Sequence, residues 1–258
     1  MALGLPLPRT ILTHAHWTMN HSKMSKSTGN VVNPMFAMAR YGVDPIRFFL
    51  AMNGGFASDA NYDNSYIVRD YKNLLQDQLG NLCSRLMRGK GWNVRECVNS
   101  LADKQTDNLQ TMEKDKRKHQ VFLERATRRV SQHMDGLDPR KALDEIMTIV
   151  ESTNKRMQLA RPWDLVKTSG DDPVTRDRVA TVIYDISESL RIVGILLQPF
   201  MPEKAKKLLD MLGVEDNIEK RSFAATKYGF DPDYGTPKVV SLERGQGGTL
   251  FPSLLTDR

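Results

Sequence analysis

The chain reads as mainly α, with a short α/β edge over residues 1–60, an antiparallel helical bundle over 61–220 and an extended tail over 221–258. Three observations carry that reading. Beyond Asp63, apolar residues recur at three- and four-residue intervals, the period of a helix with one buried stripe. Asn or Asp followed by Pro occurs at 33–34, 44–45, 138–139 and 172–173. Such a pair caps the orphan amides of a helix and puts proline where its missing N–H costs nothing. Near the start, Arg9-Thr10-Ile11-Leu12-Thr13-His14 has the short, β-branched character of a buried strand.

That expected strand leads into Lys23-Met24-Ser25-Lys26-Ser27, followed by Thr28-Gly29-Asn30. A polar loop leaving a strand end is where α/β folds place ligand chemistry. Each lysine is a compact charge on a long stem, suited to polyphosphate oxygens. Ser25 and Ser27 add hydroxyl donors, and Gly29 permits a positive φ where the loop turns. By composition alone the pentapeptide reads first as a solvated basic loop, which is what most Lys/Ser-rich pentapeptides are. His14 and His16 could reach a nucleotide from the strand end, or simply be satisfied polar residues there.

Helices are expected at Asn33-Pro34 and Asp44-Pro45, with Phe48, Phe49 and Met52 as an apolar face and Asn53-Gly54-Gly55 as a stop. Residues 66 to 88 carry Ile67, Tyr71, Leu74, Leu75, Leu79, Leu82 and Leu86 on one stripe, closed by Gly89-Lys90-Gly91. Between 93 and 110 polar residues dominate, which reads as a linker. Residues 113 to 135 form an amphipathic basic helix, with seven basic against three acidic residues up to Arg129, a local excess of about four. This is a solvated face or a phosphate-tracking one. A helix from Asp138-Pro139 aligns Leu143, Ile146, Met147, Val150, Asn154 and Met157. Another from Asp172-Pro173 aligns Val179, Val182, Ile186, Leu190, Val193 and Leu197, and a shorter one runs from Pro202 to Leu212-Gly213. Such elements with short connections make an antiparallel bundle. Glycines 229, 235, 245, 247 and 248, with Pro232 and Pro237, give the tail, and Leu250-Phe251-Pro252 can pack back onto the body.

The 258 residues, 40% of them hydrophobic, support a real core, and the net charge of +6 suits a polyanionic partner. Cys83 and Cys97 are the only cysteines. Without a paired Cys motif or a histidine cluster no structural zinc is expected, and a reducing compartment fits better than a secreted one. No apolar run approaches the roughly 20 residues that span a bilayer, and residues 1–10 lack transit-peptide character.

Asn81 and Arg85 lie four apart on one helix, so they project from one side. Asn can read a base edge, and Arg stacks on bases and grips phosphate. Pro162-Trp163 would hold an indole as a platform for an unstacked base. Taken singly, the pair is also ordinary polar surface and the indole an ordinary core plug.

The whole pattern resembles the class I aminoacyl-tRNA synthetases, and within them the methionine–tRNA ligase family. Its carriers are Leu7-Pro8-Arg9, Thr13 to Asn20, the KMSKS-type pentapeptide at 23–27, Tyr41-Gly42-Val43-Asp44-Pro45, Asn81-Leu82-Cys83-Ser84-Arg85, Asn154, Pro162-Trp163 and the closing Leu-Phe-Pro. The resemblance implies a Rossmann-like catalytic core ending near residue 60 and an anticodon-binding bundle after it. It implies ATP-dependent activation of methionine, whose carboxylate attacks the α-phosphate, and transfer to tRNA(Met). Lys26 would make the main transition-state contact, with Lys23 and Ser25 assisting. Lys23, Lys26, Ser27 and His14 would hold ATP with Mg2+, and Asn81, Arg85 and Trp163 would read the CAU anticodon. Asn154 would orient the tryptophan segment. The first class I signature, of His-x-Gly-His type, has no match here, so the resemblance is to a carboxy-terminal half. A non-catalytic tRNA-binding module is the alternative. A leucine, valine or cysteine ligase would prefer another anticodon, and a purely structural bundle would bind RNA without sequence preference. The His14 to Asn20 match and the compact end look mitochondrial, implying the matrix, with the cytoplasm as alternative. Oligomeric state and editing are not legible.

Overall fold

The computed structural model describes residues 4, 7–55, 58–102, 110–168, 172–235 and 249–254. A three-stranded sheet opens it, in the order β2-β1-β3. Strand β1 (Trp17–Met19) pairs antiparallel with β2 (Ser22–Lys23) and parallel with β3 (Ala60–Tyr62). Asn20 and His21 both have positive φ, 50° and 59°, the geometry of a type I′ hairpin turn that matches strand twist.

The strand expected at Arg9 to His14 is not formed. Residues 10–14 have no regular structure, and Ile11 and Leu12 are 79% and 51% exposed. The sheet starts at Trp17 instead, where Thr18 is buried and pairs with Lys23 on one side and Asn61 on the other. β-branched character yields a strand only where a partner completes the ladder.

Helix α1 (Pro34–Tyr41) starts as expected, with Asn33 accepting from the Met35 N–H at 2.9 Å. Helix α2 (Val43–Asn53) starts one residue before its expected cap. Gly42, at φ 88°, takes the cap position, a conformation open to glycine. Asp44 is therefore inside the first turn, buried, and its carboxylate accepts the Lys204 N–H at 2.6 Å. A small core joins the sheet to these helices, with Phe49 5.6 Å from the Trp17 ring and edge-on to Tyr62 at 5.9 Å.

One long rod follows: α3 (Asn64–Asp70), a π-helical stretch (Tyr71–Gly80) and α4 (Asn81–Met87). Its buried residues Ile67, Tyr71, Leu75 and Leu79 are spaced strictly by four. In an α-helix such a row drifts by about 40° per step. The i→i+5 bonding of a π-helix takes more residues per turn and counters the drift, so Tyr71, Leu75 and Leu79 face the main core while Leu74 is only half-buried, and Ile67, on the α-helical turns before them, joins the small core beside the sheet.

The linker expected over 93–110 is largely helix α5 (Val94–Ala102), which buries Val94, Cys97 and Val98. The spacing of these residues with Leu101 is helical, and the polar residues between them mask it. Residues 103–109 lie outside the described set. Helices α6 (Gln110–Asp135), α7 (Pro139–Ala160), α8 (Pro162–Thr168), α9 (Pro173–Leu197), α10 (Pro202–Met211) and the short α11 (Ile218–Arg221) complete the bundle. Asp138 and Asp172 cap α7 and α9 by accepting the Lys141 and Thr175 N–H groups, each at 3.1 Å. Helix α9 is the central element: it packs on α5, α6, α7, α8 and α10 and is buried continuously from Val182 to Leu197. Among the described residues no helix is long and apolar enough to cross a membrane.

The described parts of the tail, 221–235 and 249–254, are packed onto the bundle. A 3-10 turn (Phe223–Thr226) and the segment to Tyr234 are clamped by a fully buried ion pair on α9. Arg191 holds Glu188 at 2.8 Å and donates to the Ala225 and Lys227 carbonyls, while Glu188 accepts the Gly229 N–H at 2.6 Å. Pro237, Gly245, Gly247 and Gly248 lie outside the described residues. Leu250 and Phe251 do pack back, as expected, with Phe251 edge-on to Tyr71 and the Tyr71 hydroxyl donating to the Pro252 carbonyl at 2.5 Å.

Candidate nucleic-acid interface and lysine loop

The lysine loop begins on the last residue of β2. Its shape is set by Asn30, whose Oδ1 accepts the Ser25 N–H and the Thr28 hydroxyl, both at 2.8 Å, and whose amide donates to the Lys23 carbonyl at 3.2 Å. Gly29, at φ 67°, supplies the turn. The Ser25 hydroxyl lies 2.5 Å from that of Thr28 and 3.1 Å from that of Ser27. It therefore helps hold the loop's shape. Lys23, Lys26 and Ser27 are exposed, so two ammonium groups stand on a turn whose backbone is tied down beneath them. His14 is also exposed; its Nδ1 lies 2.6 Å from the Ala15 carbonyl oxygen. Its neighbour His16 faces Asp59 at 3.8 Å.

Within the bundle, Asn81, Arg85 and Trp163 line one cleft of about 630 Å³. Asn81 and Arg85 project from α4, the first turns after the π-helical stretch. Trp163 arrives from α8, whose start is set by a break in the helix: α7 ends at Ala160, Arg161 takes a left-handed conformation (φ 45°, ψ 55°), and Pro162 opens α8. Arg161 is tied to Asp164 by an ion pair at 2.6 Å. The Arg85 guanidinium lies 4.8 Å from the centroid of the Trp163 ring, within cation–π range. Burial lowers the Arg85 pKa from its ordinary value, and a guanidinium remains a cation at neutral pH.

Asn154 is not among the residues lining the cleft. Its amide donates to the Gln78 carbonyl at 3.2 Å and to the Val150 carbonyl at 3.1 Å. It thus fixes the end of the π-helical stretch, and with it Asn81, rather than the tryptophan segment expected from the sequence.

Sequence reasoning missed Trp92, Gly89, Gly91 and the cations Arg88, Lys90 and Lys167, all of which line the cleft. Trp92 donates its indole N–H to the Leu86 carbonyl at 2.9 Å and lies so close to Gly89 that a Cβ there would sit 1.7 Å from its ring. An aromatic immediately after a Gly-Lys-Gly helix stop was the available signal. Cys83 and Cys97 are buried thiols, each with its pKa pushed up to about 12 by desolvation.

The cleft joins two parts of the chain that match known families separately. Residues 1–87 match the model for class I tRNA synthetases (M), and residues 105–227 match the anticodon binding domain of methionyl tRNA ligase. The chain belongs to the methionine–tRNA ligase family. Within the family it is 42% identical to the probable mitochondrial methionine–tRNA ligase of Neurospora crassa, over 100% of this chain and 40% of that protein. It is 37% identical to the corresponding protein of Schizosaccharomyces pombe, over 90% of this chain and 40% of the relative. The chain thus spans well under half the length of these relatives. It also superposes on the apo form of Mycobacterium tuberculosis methionyl-tRNA synthetase with a TM-score of 0.77 at 26% identity, covering 98% of this chain and 45% of the other. The same enzyme in complex with methionyl-adenylate gives 0.72 at 30% identity. In the methionine–tRNA ligase frame, Asn81 and Arg85 fall in the first matched segment and Trp163 in the second.

Proposed function

We propose that this chain carries the anticodon-reading bundle and the phosphate-gripping loop of a methionine–tRNA ligase, an enzyme that activates methionine with ATP to methionyl-adenylate and transfers it to tRNA(Met). Residues 1–60 are then the end of the catalytic core, 61–220 the anticodon-binding domain and 221–258 the tail. The observation that carries this reading is the convergence of Asn81, Arg85 and Trp163 on one cleft, with the guanidinium 4.8 Å from the indole centroid. A base stacked on that indole contributes about 1–3 kcal/mol, and the amide and guanidinium beside it can reach its edge.

In the lysine loop, Lys26 supplies the main charge to the α-phosphate as pyrophosphate departs, with Lys23 assisting. Fixed donors of this kind are commonly worth about 3–4 kcal/mol. Ser25 acts by shaping the loop, Ser27 and His14 stand at its margin as further ATP contacts, and ATP enters as its Mg2+ complex. The names of the fungal relatives support a mitochondrial location, with the matrix as the compartment where such an enzyme meets its tRNA.

The test is binding of a CAU anticodon stem-loop by fluorescence anisotropy. Trp163→Ala should weaken the CAU stem-loop at least about tenfold and leave non-specific RNA affinity unchanged; equal loss for every RNA would assign the indole a folding role. Because the chain spans 40% of its relatives, a tRNA-binding module without catalysis is the second reading. Methionine-dependent pyrophosphate exchange by this chain would exclude that module, and its absence alongside CAU-dependent binding would support it.

A further inference from the structure

A second groove, of about 500 Å³, lies against the cleft and shares Asn81 and Ser84 with it. Its floor is the last turn of the π-helical stretch, with Gln76 and Asp77, and its opposite wall is the returning tail at Phe251 and Ser253. That wall is built, not incidental. Phe251 is buried, Gln76 donates to the Ser253 hydroxyl at 3.3 Å, and Lys204 and Lys207 donate to the Leu250 and Thr249 carbonyls at 2.9 and 3.0 Å.

Asp77, Asn81 and Arg85 form one row across the two cavities. The step from Asp77 to Asn81 leaves the π-helical stretch and falls short of a full turn, whereas the step from Asn81 to Arg85 is α-helical and overshoots by about 40°. The two deviations oppose each other and keep the row straight. It spans roughly 12 Å, well beyond the 3.4 Å between stacked nucleotides, so bases reaching both ends must be splayed, the usual mode of reading single-stranded loops.

Charge is divided along the row. Arg85, Arg88, Lys90 and Lys167 line the cleft. Among the described residues lining the groove none is cationic, and Asp77 is an exposed carboxylate without a hydrogen bond or ion pair among the described residues. A phosphate finds no cationic side chain among those lining residues, and the nearby Lys204 and Lys207 are turned to tail carbonyls. A carboxylate accepts only, so a base that presents a donor edge there, such as an exocyclic amine, is favoured over one that presents acceptors.

Resting on the anticodon reading above, we infer that the groove is a second base subsite, in which Asp77 accepts a hydrogen bond from the 6-amino group of the anticodon's middle adenine while a neighbouring base stacks on Trp163. The middle base is the neighbour of whichever end base occupies the cleft. Asn81, on the shared wall, lies between the two bases.

The experiment measures this chain's affinity for a synthetic CAU stem-loop and for the same stem-loop with purine, which lacks the amine, at the middle position. The wild type should bind the amine-lacking loop at least about tenfold more weakly. Asp77→Ala should reduce that ratio to about twofold or less, and Asp77→Asn, which retains an acceptor, should restore part of it. Because Asp77 is exposed, thermal unfolding of both variants should match wild type. A ratio unchanged in Asp77→Ala, or a wild type blind to the amine, overturns the subsite. If Trp163→Ala weakens the CAU loop in the same series, only the subsite fails. If Trp163→Ala has no effect on it, the anticodon reading fails as well.

Discussion

Gly89→Ala tests whether the cleft's far wall is a packed structure or a loose loop. A Cβ at Gly89 would lie 1.7, 2.1 and 2.5 Å from the Trp92 atoms Cζ2, Cε2 and Cη2. These are rigid ring atoms already held by the indole N–H bond to the Leu86 carbonyl at 2.9 Å. A shift of a few tenths of an ångström does not relieve that overlap, so the indole must leave. Its departure strips a carbonyl of its partner, costing about 1–3 kcal/mol, and gives up part of the ring's burial against the core, costing roughly 1 kcal/mol more. The sum is about 2–4 kcal/mol. Urea unfolding should report that loss, and affinity for a CAU stem-loop should fall with it, because Gly89 and Trp92 both line the cleft. Trp92→Ala in the Gly89→Ala background removes the clash, so the double variant should be less destabilised than the two single changes summed. A Gly89→Ala protein within about 0.5 kcal/mol of wild type, or strict additivity with Trp92→Ala, would refute the packing account.

The buried clamp gives a second expectation: Arg191→Met leaves Glu188 charged and unpaired, and should cost about 3–5 kcal/mol in urea unfolding, part of it recovered by adding Glu188→Gln. Asp44→Ala removes the acceptor that caps α10 from outside, and should cost about 1 kcal/mol, with Asp44→Asn closer to wild type. His119 is buried, with its Nε2 2.9 Å from the Ser189 hydroxyl. Desolvation is the largest influence and lowers its pKa, opposed by Asp185 and Glu188 and reinforced by Arg156. The unfolded chain takes up this proton near pH 6.5 while the fold refuses it, so this contribution to stability is complete above about pH 6.5 and is lost as pH falls below it. His119→Gln should flatten the decline in stability between about pH 7 and pH 5, measured by thermal unfolding across that range. Lys26→Ala in a complete ligase should cut methionine-dependent pyrophosphate exchange at least about tenfold without changing CAU stem-loop affinity; unchanged exchange would remove the loop from the chemistry.

What the sequence disclosed divides along physical lines. Signals acting within a few residues were legible: Asn33, Asp138 and Asp172 all cap the helices that their Asn/Asp-Pro pairs announce. The same pair at Asp44-Pro45 misled because Gly42, at φ 88°, shifts the helix start and a residue far along the chain, Lys204, claims the carboxylate. The run Ile67, Tyr71, Leu75, Leu79 was legible as a buried stripe, but its strict spacing of four was also the trace of π-helical winding. Arg9 to His14 looked like a strand because propensity was counted without asking what would pair with it.

The cleft shows the same division more sharply. That Asn81 and Arg85 share a side follows from their spacing on one helix. That Trp163 meets them depends on Arg161, a non-glycine residue in the left-handed region, which costs roughly 1–2 kcal/mol and which no local rule would choose. The 2.6 Å pair with Asp164 and the first turn of α8 hold it there. Pro162 already bars α7 from continuing through Arg161, and it is the left-handed conformation of Arg161, rather than the extended one usual before proline, that sets how α8 departs. A disfavoured backbone conformation therefore sits where the two walls of the site must be brought together, and functional sites are where local rules are expected to yield to the demands of geometry.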